Sequence, residues 1–162
     1  MSHATDFPAP GHDHSHCIAA ALDRAENHCR EQKARLTAQR RRVLEIVWSS
    51  HAPIGAYAIL EQLADEGAKP APMTVYRALD FLRTQGLVHK VAGLNAFVGC
   101  SHPGAMHDGQ FLICRECGAV AEINDPTLDR AVKGCVATVG FQLTQGRIEL
   151  EGICTHCLSH HE

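Results

Sequence analysis

Thr74-Val75-Tyr76-Arg77-Ala78-Leu79-Asp80-Phe81-Leu82 places apolar residues at Val75, Ala78, Leu79 and Leu82. That i, i+3, i+4, i+7 spacing is one face of a helix. Met73, Arg77 and Thr84 fall on the other side, and Gly86 ends the pattern. Two short β-prone runs follow, Leu87–Val91 and Asn95–Gly99, separated by Ala92-Gly93-Leu94. They predict a hairpin. A helix that keeps an arginine outward and runs straight into a hairpin decides the reading of the N-terminal half.

Upstream, three further helices fit. Ile18, Ala21, Leu22, Ala25 and Cys29 form one amphipathic face. Thr37 is an N-cap for a second helix through Val43, Leu44 and Val47, broken by Pro53. A third carries Tyr57, Leu60 and Leu63/Ala64 and closes at Gly67, after which Pro70 and Pro72 precede the Thr74–Leu82 helix. Short helices followed by a hairpin are the winged-helix pattern, and the fourth helix takes the position of the recognition helix in a helix-turn-helix.

Downstream, Cys100, Pro103, Gly104 and Gly109 give residues 100–109 the composition of a hinge. Phe111–Cys114 and Ala119–Ile123 predict strands, and Asp125-Pro126 reads as a cap with proline at the first helical position. Leu128, Ala131, Val132, Cys135 and Val136 make a helical stripe stopped by Gly140, and Phe141–Ile153 alternates as a strand. This β-β-α-β module, 110–158, is too small to hold much core of its own, and such modules usually need a metal, disulfides or a partner chain.

Two knuckles supply candidate metal ligands. Cys114-x2-Cys117-Gly118 and Cys154-x2-Cys157 each put two thiols on one tight turn, and together they make a tetrahedral S4 site suited to zinc. The 36 residues between Cys117 and Cys154 are enough to hold a strand, a helix and a strand. Zinc would then tie the ends of the module together and supply folding free energy. A second set, His89, Cys100, His107 and Glu122, has no local spacing that defines one site.

The whole chain has 162 residues with a net charge of −3, which argues against a nonspecific nucleic-acid binder. The charge is uneven. Residues 1–100 carry 11 Lys/Arg against 10 Asp/Glu, and residues 101–162 carry 4 against 8. Arg30, Lys33, Arg35, Arg40, Arg41 and Arg42 face only Glu31 within 30–42. No apolar run is long enough for a membrane span, and Met1–Gly11 lacks the pattern of a secretory signal, so a cytoplasmic protein is expected. There the eight cysteines and twelve histidines point to soft transition metals rather than disulfides. Residues 1–16, with His12-Asp13-His14-Ser15-His16, are expected to be a disordered His-rich tail.

The Thr74–Leu82 helix with Gly86-Leu87-Val88-His89-Lys90-Val91, the run Phe111-Leu112-Ile113-Cys114 and the paired knuckles resemble the ferric uptake regulator family over roughly residues 18–157. Tyr76–Leu82 and His89-Lys90-Val91 are most similar to its zinc uptake regulator branch. The resemblance implies an α+β protein. Its parts are an N-terminal winged-helix DNA-binding domain (17–99) and a small C-terminal α/β dimerisation domain with structural zinc (110–158). It implies a non-enzymatic, zinc-responsive repressor that binds palindromic operator DNA as a homodimer and controls zinc uptake genes. It matches Cys114, Cys117, Cys154 and Cys157 to structural zinc and His89, Cys100, His107 and Glu122 to regulatory zinc, two Zn2+ per chain. Tyr57, Tyr76 and Arg77 carry over as DNA contacts, and Thr74 and Arg40 belong to the same expected surface.

Iron sensors of the family place a His-Asp-His cluster before the first knuckle. Here the stretch is His107-Asp108-Gly109-Gln110-Phe111, and Cys100 adds a soft ligand, which favours zinc over iron or manganese. A sensor of another metal, a thiol–disulfide oxidoreductase and a zinc chaperone stand as alternatives. The oxidoreductase lacks a thioredoxin-like βαβ start and leaves the helix-turn-helix unexplained.

Overall fold

The computed structural model describes residues 3–4, 7, 11, 13–104 and 109–160. The chain divides into two compact units, residues 10–105 and residues 1–9 with 106–162.

The first unit begins with α1 (Ser15–Glu31). The Asp13 carboxylate accepts hydrogen bonds from the Ser15 N–H and Oγ–H, both at 2.8 Å. These bonds hold the Asp13 carboxyl below its usual range and satisfy a donor of the helix start. So the expected tail is helical from Ser15. Ala21, Leu22, Ala25 and Cys29 are buried along one side of α1, and burial pushes the Cys29 thiol upward.

α2 (Ala38–Trp48) starts where Thr37 Oγ1 accepts the Arg40 N–H at 3.3 Å. It sends Val43, Leu44, Ile46 and Val47 into the core. α3 (Ala56–Asp65) adds Ile59 and Leu63, and Gly67 closes it at φ +85°. α4 (Pro72–Thr84) has proline in its first turn and buries Val75, Ala78, Leu79 and Leu82, the residues its periodicity selects. All four helices and the hairpin share one core.

That hairpin is β2 (Val88–Val91) antiparallel to β3 (Ala96–Gly99), with His89 opposite Val98. Asn95 adopts the left-handed conformation at φ +47° to turn the chain. Ile54 exchanges backbone hydrogen bonds with Phe97 at 3.0 and 2.9 Å, anchoring the α2–α3 connection to β3. Gly99 lies against the Trp48 indole, where an added Cβ would overlap the ring. Several arginines of the 30–42 run are already paired. Arg41 meets Glu26 and Glu45, and Arg42 meets Glu45 and Glu66.

The second unit is built on one sheet, ordered β1-β5-β4-β6. Its members are β1 (His3–Ala4), β4 (Gln110–Cys114), β5 (Val120–Asn124) and β6 (Ile148–Gly152). β4 and β5 form an antiparallel pair, with Phe111 opposite Glu122. β6 runs parallel to β4 from Gln110↔Ile148 to Cys114↔Gly152. The strand expected over 141–153 is shorter because its partner is only five residues long. β1, inside the stretch read as a tail, pairs with Asn124 and Ile123.

α5 (Pro126–Ala137) makes the crossover between β5 and β6. Asp125 caps it by accepting the Thr127 N–H at 2.7 Å. The buried Gln110 side chain holds this end, donating to Asp129 Oδ1 at 2.6 Å and accepting the Asp125 N–H at 3.2 Å. None of the residues of α5 is buried within the chain. Leu128, Val132 and Val136 of its apolar stripe are half-buried, and just beyond the helix Val139 is 79% and Phe141 60% exposed. Among the described residues, no helix is long and apolar enough to cross a membrane.

The Gly99 contact gives a first test. Gly99→Ala should lower unfolding free energy by about 1–3 kcal/mol, the usual cost of overpacking. It should also alter the emission of Trp48, the single tryptophan. Unchanged denaturation and emission would show that the two groups do not touch.

Candidate metal centre

The parallel pairing of β4 with β6 decides where the cysteines meet. Parallel strands finish at the same edge of a sheet. β4 ends at Cys114, β6 ends at Gly152, and the Arg115 N–H donates to Gly152 O at 2.9 Å. The first knuckle turns just past the end of β4, with Gly118 at φ +73° and its N–H on Cys114 O at 3.0 Å. The second lies at the start of the short helix α6 (Thr155–Ser159), with Cys154 at its N-cap.

The four sulfurs lie within 4.8 Å of one another. Cys114 Sγ is 3.8 Å from Cys157 Sγ, and Cys117 Sγ is 3.8 Å from Cys154 Sγ. A tetrahedron of sulfurs about a zinc ion, with Zn–S near 2.3 Å, has edges of about 3.8 Å. The 3.8 Å spacing of these two pairs matches such an edge, and the other pairs lie within 4.8 Å. It also exceeds a disulfide bond length of about 2 Å, and all four cysteines are free.

The electrostatics agree with that donor set. The Cys117 N–H bonds Cys114 Sγ most strongly, and burial opposes it. The N–H groups of Cys154, at 3.3 Å, and Glu116 add to the Cys117 bond, and the thiol falls to about 6. Cys157 is pushed up to about 12 by its hydrogen bond with Cys154 and by burial. Cys117 also rises: the Ala119 N–H opposes the shift, but burial and the Cys114 and Cys154 thiols outweigh it. Four sulfurs this close cannot all carry charge unaided, whereas a dication lets them.

The second expected set is divided between the units. In the first, His89 and Cys100 offer ligand atoms within 4.8 Å of each other. His89 sits on β2, and Cys100 follows β3, where its N–H donates to Leu87 O at 3.0 Å. In the second unit, Glu122 sits on β5. His107 lies outside the described residues.

The residues expected to meet DNA lie in the first unit. Arg77 is exposed on α4, opposite the buried face, and Thr74 is half-buried near its start. Tyr57 is 71% exposed and Tyr76 40%, and they line one shallow groove with Leu60, Pro72 and Val75. Arg40 lays its guanidinium over the Phe81 ring at 3.7 Å and donates to Arg35 O at 2.6 Å. This contact orders the side chain in a way its sequence position does not reveal. Three further ligand-type residues, His14, Cys17 and His51, also converge. The His-rich run hinted at the first of these, and nothing in the sequence signalled His51.

A family model described as the ferric uptake regulator family matches residues 31–151. The chain is 38% identical over 138 residues to the zinc uptake regulation protein of Escherichia coli (strain K12), covering 85% of this chain and 81% of that one. It matches a solved structure of a zinc uptake regulator complexed with zinc and DNA at a TM-score of 0.83 and 36% identity. That match covers 89% of this chain and 97% of the other. The crystal structure of holo XcZur matches at a TM-score of 0.80 and 36% identity, covering 86% and 98%.

The cage predicts a structural role for each thiol. A structural zinc site contributes about 10–16 kcal/mol of apparent binding free energy, comparable to or larger than the stability of a whole domain, about 5–15 kcal/mol. Cys117→Ser should therefore unfold the second unit and remove its tightly held metal, as read by circular dichroism and metal analysis. A folded variant with full metal content would remove Cys117 from the cage.

Proposed function

The chain belongs to the ferric uptake regulator family, and on that premise we propose that it is a zinc-responsive transcriptional repressor. In this reading it binds palindromic operator DNA as a zinc-loaded homodimer and controls zinc uptake genes. One observation carries the reading: a helix-turn-helix with Arg77 outward and a cage of four thiols at zinc spacing occur in one chain. The identity to a zinc uptake regulation protein and the likeness to a relative complexed with zinc and DNA support the choice of metal and of partner.

The proposed division of labour assigns two zinc ions per chain. Cys114, Cys117, Cys154 and Cys157 hold the structural ion. His89, Cys100, His107 and Glu122 hold the regulatory one. Bound there, zinc supplies a double positive charge and directional bonds. The Cys100 thiolate and the Glu122 carboxylate balance that charge, while His89 and His107 donate as neutral rings. The ion would add bonds shared by all four residues.

Arg77 offers two parallel N–H donors to a guanine edge. Tyr57, Thr74 and Tyr76 hold phosphates beside it, and Arg40, steadied on Phe81, adds charge. The half-buried stripe on α5 and the exposed Val139 and Phe141 suit burial against a second copy. A dimer sets two recognition helices on successive half-sites. Cytoplasmic location follows from the DNA partner and from thiols that must stay reduced.

Two variants test the reading together. Cys100→Ser should hold one zinc per chain fewer than the parent and keep its fold but lose zinc-dependent operator binding in gel shifts. Arg77→Ala should keep both zincs yet lose about 1–3 kcal/mol of operator affinity at fixed salt. A Cys100→Ser protein that binds operator as the parent does under zinc control contradicts the regulatory assignment. An unchanged Arg77→Ala affinity removes Arg77 from base reading.

A further inference from the structure

We propose that His14, Cys17 and His51 form an additional, exchangeable zinc site on the first unit, built by the His-rich N-terminal segment and the turn after α2. Their ligand atoms lie within 4.8 Å of one another, and all three side chains are half-buried. The rings of His14 and His51 are 4.7 Å apart between centroids and tilted by 46°.

The local fold explains the convergence. His14 is the N-cap of α1 and Cys17 lies three residues on, a spacing that puts both on one side of the helix. The Asp13 carboxylate, bonded to the Ser15 N–H and Oγ–H, fixes the direction of this helix start. His51 comes from the other side. Ser49 ends α2 with its Oγ–H on Ile46 O at 2.7 Å, and Ser50 Oγ accepts the Ala52 N–H at 3.0 Å, so the turn carrying His51 is shaped on both flanks.

The donor chemistry selects the ion. Two imidazoles and a thiol are borderline-to-soft ligands, suited to zinc and unsuited to magnesium or calcium. Around zinc, tetrahedral N–N and N–S edges are about 3.3–3.6 Å. Closing from the present spacing needs movement of about one ångström, within reach of side-chain rotation. One thiolate and two neutral rings leave a +1 charge and an open fourth position for water. Three protein ligands with an open position make an ion that exchanges readily, unlike one enclosed by four thiolates.

Position gives the site a consequence. His51 lies between α2 and Ile54, and Ile54 bonds Phe97 of the hairpin. An ion at the cluster would clip the N-terminal helix to the segment that joins α2 to the hairpin and to the helix-turn-helix. The His14–Cys17 turn with His51 would then act as a low-affinity zinc receiver on the DNA-binding unit, separate from both proposed sites above.

The test uses the full chain and zinc itself. Peptide mapping by mass spectrometry after iodoacetamide treatment reads Cys17 individually. Micromolar zinc should slow Cys17 alkylation at least tenfold, and mild chelation should restore the rate while the Cys114 and Cys154 peptides stay protected. At saturating zinc, Cys17→Ala with His51→Gln should bind one zinc per chain fewer than the parent. The same loss should appear in a Cys100→Ser background, which separates this site from the regulatory assignment. Cys17 alkylation that ignores zinc overturns the proposal. So does an unchanged zinc count in the double variant, or a His16→Gln change that removes the ion equally well, which would mean a loose His-rich run rather than this cluster.

Discussion

The four sulfurs of Cys114, Cys117, Cys154 and Cys157 are the constraint on which the second unit depends. Among the described residues its buried members are few: Gln110, Phe111, Ile113, Cys114, Val120, Ala121, Glu122 and Cys154. Two of them are cage members, and α5 contributes none. A module with so small an interior recovers little from apolar burial against the entropy of ordering its chain. The cage compensates because it joins segments far apart in sequence, where chain entropy most opposes contact. Parallel pairing makes the joining possible. An antiparallel β6 would end at the opposite edge of the sheet from Cys114. The β5–α5 crossover reverses the chain so that both knuckles turn at one edge.

The first unit solves its problem in the ordinary way, with a shared apolar core and capped helices. That difference frees its surface for recognition. α4 commits Val75, Ala78, Leu79 and Leu82 inward, which leaves Tyr76 and Arg77 outward on a rigid support. Electrostatics alone would make a poor DNA binder of this chain. Net charge is −3, and Arg41 and Arg42 are paired with carboxylates. Surface ion pairs of this kind add little stability, but they lower the free positive potential. In the proposed reading, affinity would therefore rest on a few placed contacts and on the spacing of two copies, which is what a metal-gated switch needs.

Local patterns were legible in the sequence, and long-range ones were not. The stripe on α4, the Thr37 cap, the Asp125-Pro126 start and the glycine turns follow from rules acting over a few residues. The knuckles were legible because two cysteines on one turn are a local signal too. The parallel register of β6 was hidden, since it depends on a partner nearly forty positions away. The two-residue β1 carries no periodicity to read, and its pairing with β5 is set by the sheet edge. The stripe on α5 was legible as one apolar side of a helix from its spacing alone. Spacing says which side of a helix is apolar, never whether the same chain covers it. His51 escaped for the same reason, as its neighbours in space come from α1.

The central claim is that a tetrathiolate zinc ion organises the second unit. Zinc K-edge X-ray absorption on the full-length chain, washed with a mild chelator until only the tightest metal remains, tests it most directly. The account predicts one zinc per chain with four sulfur neighbours at about 2.3 Å and no nitrogen or oxygen in the first shell. A first shell containing nitrogen or oxygen, or a folded chain that retains no zinc, would contradict it.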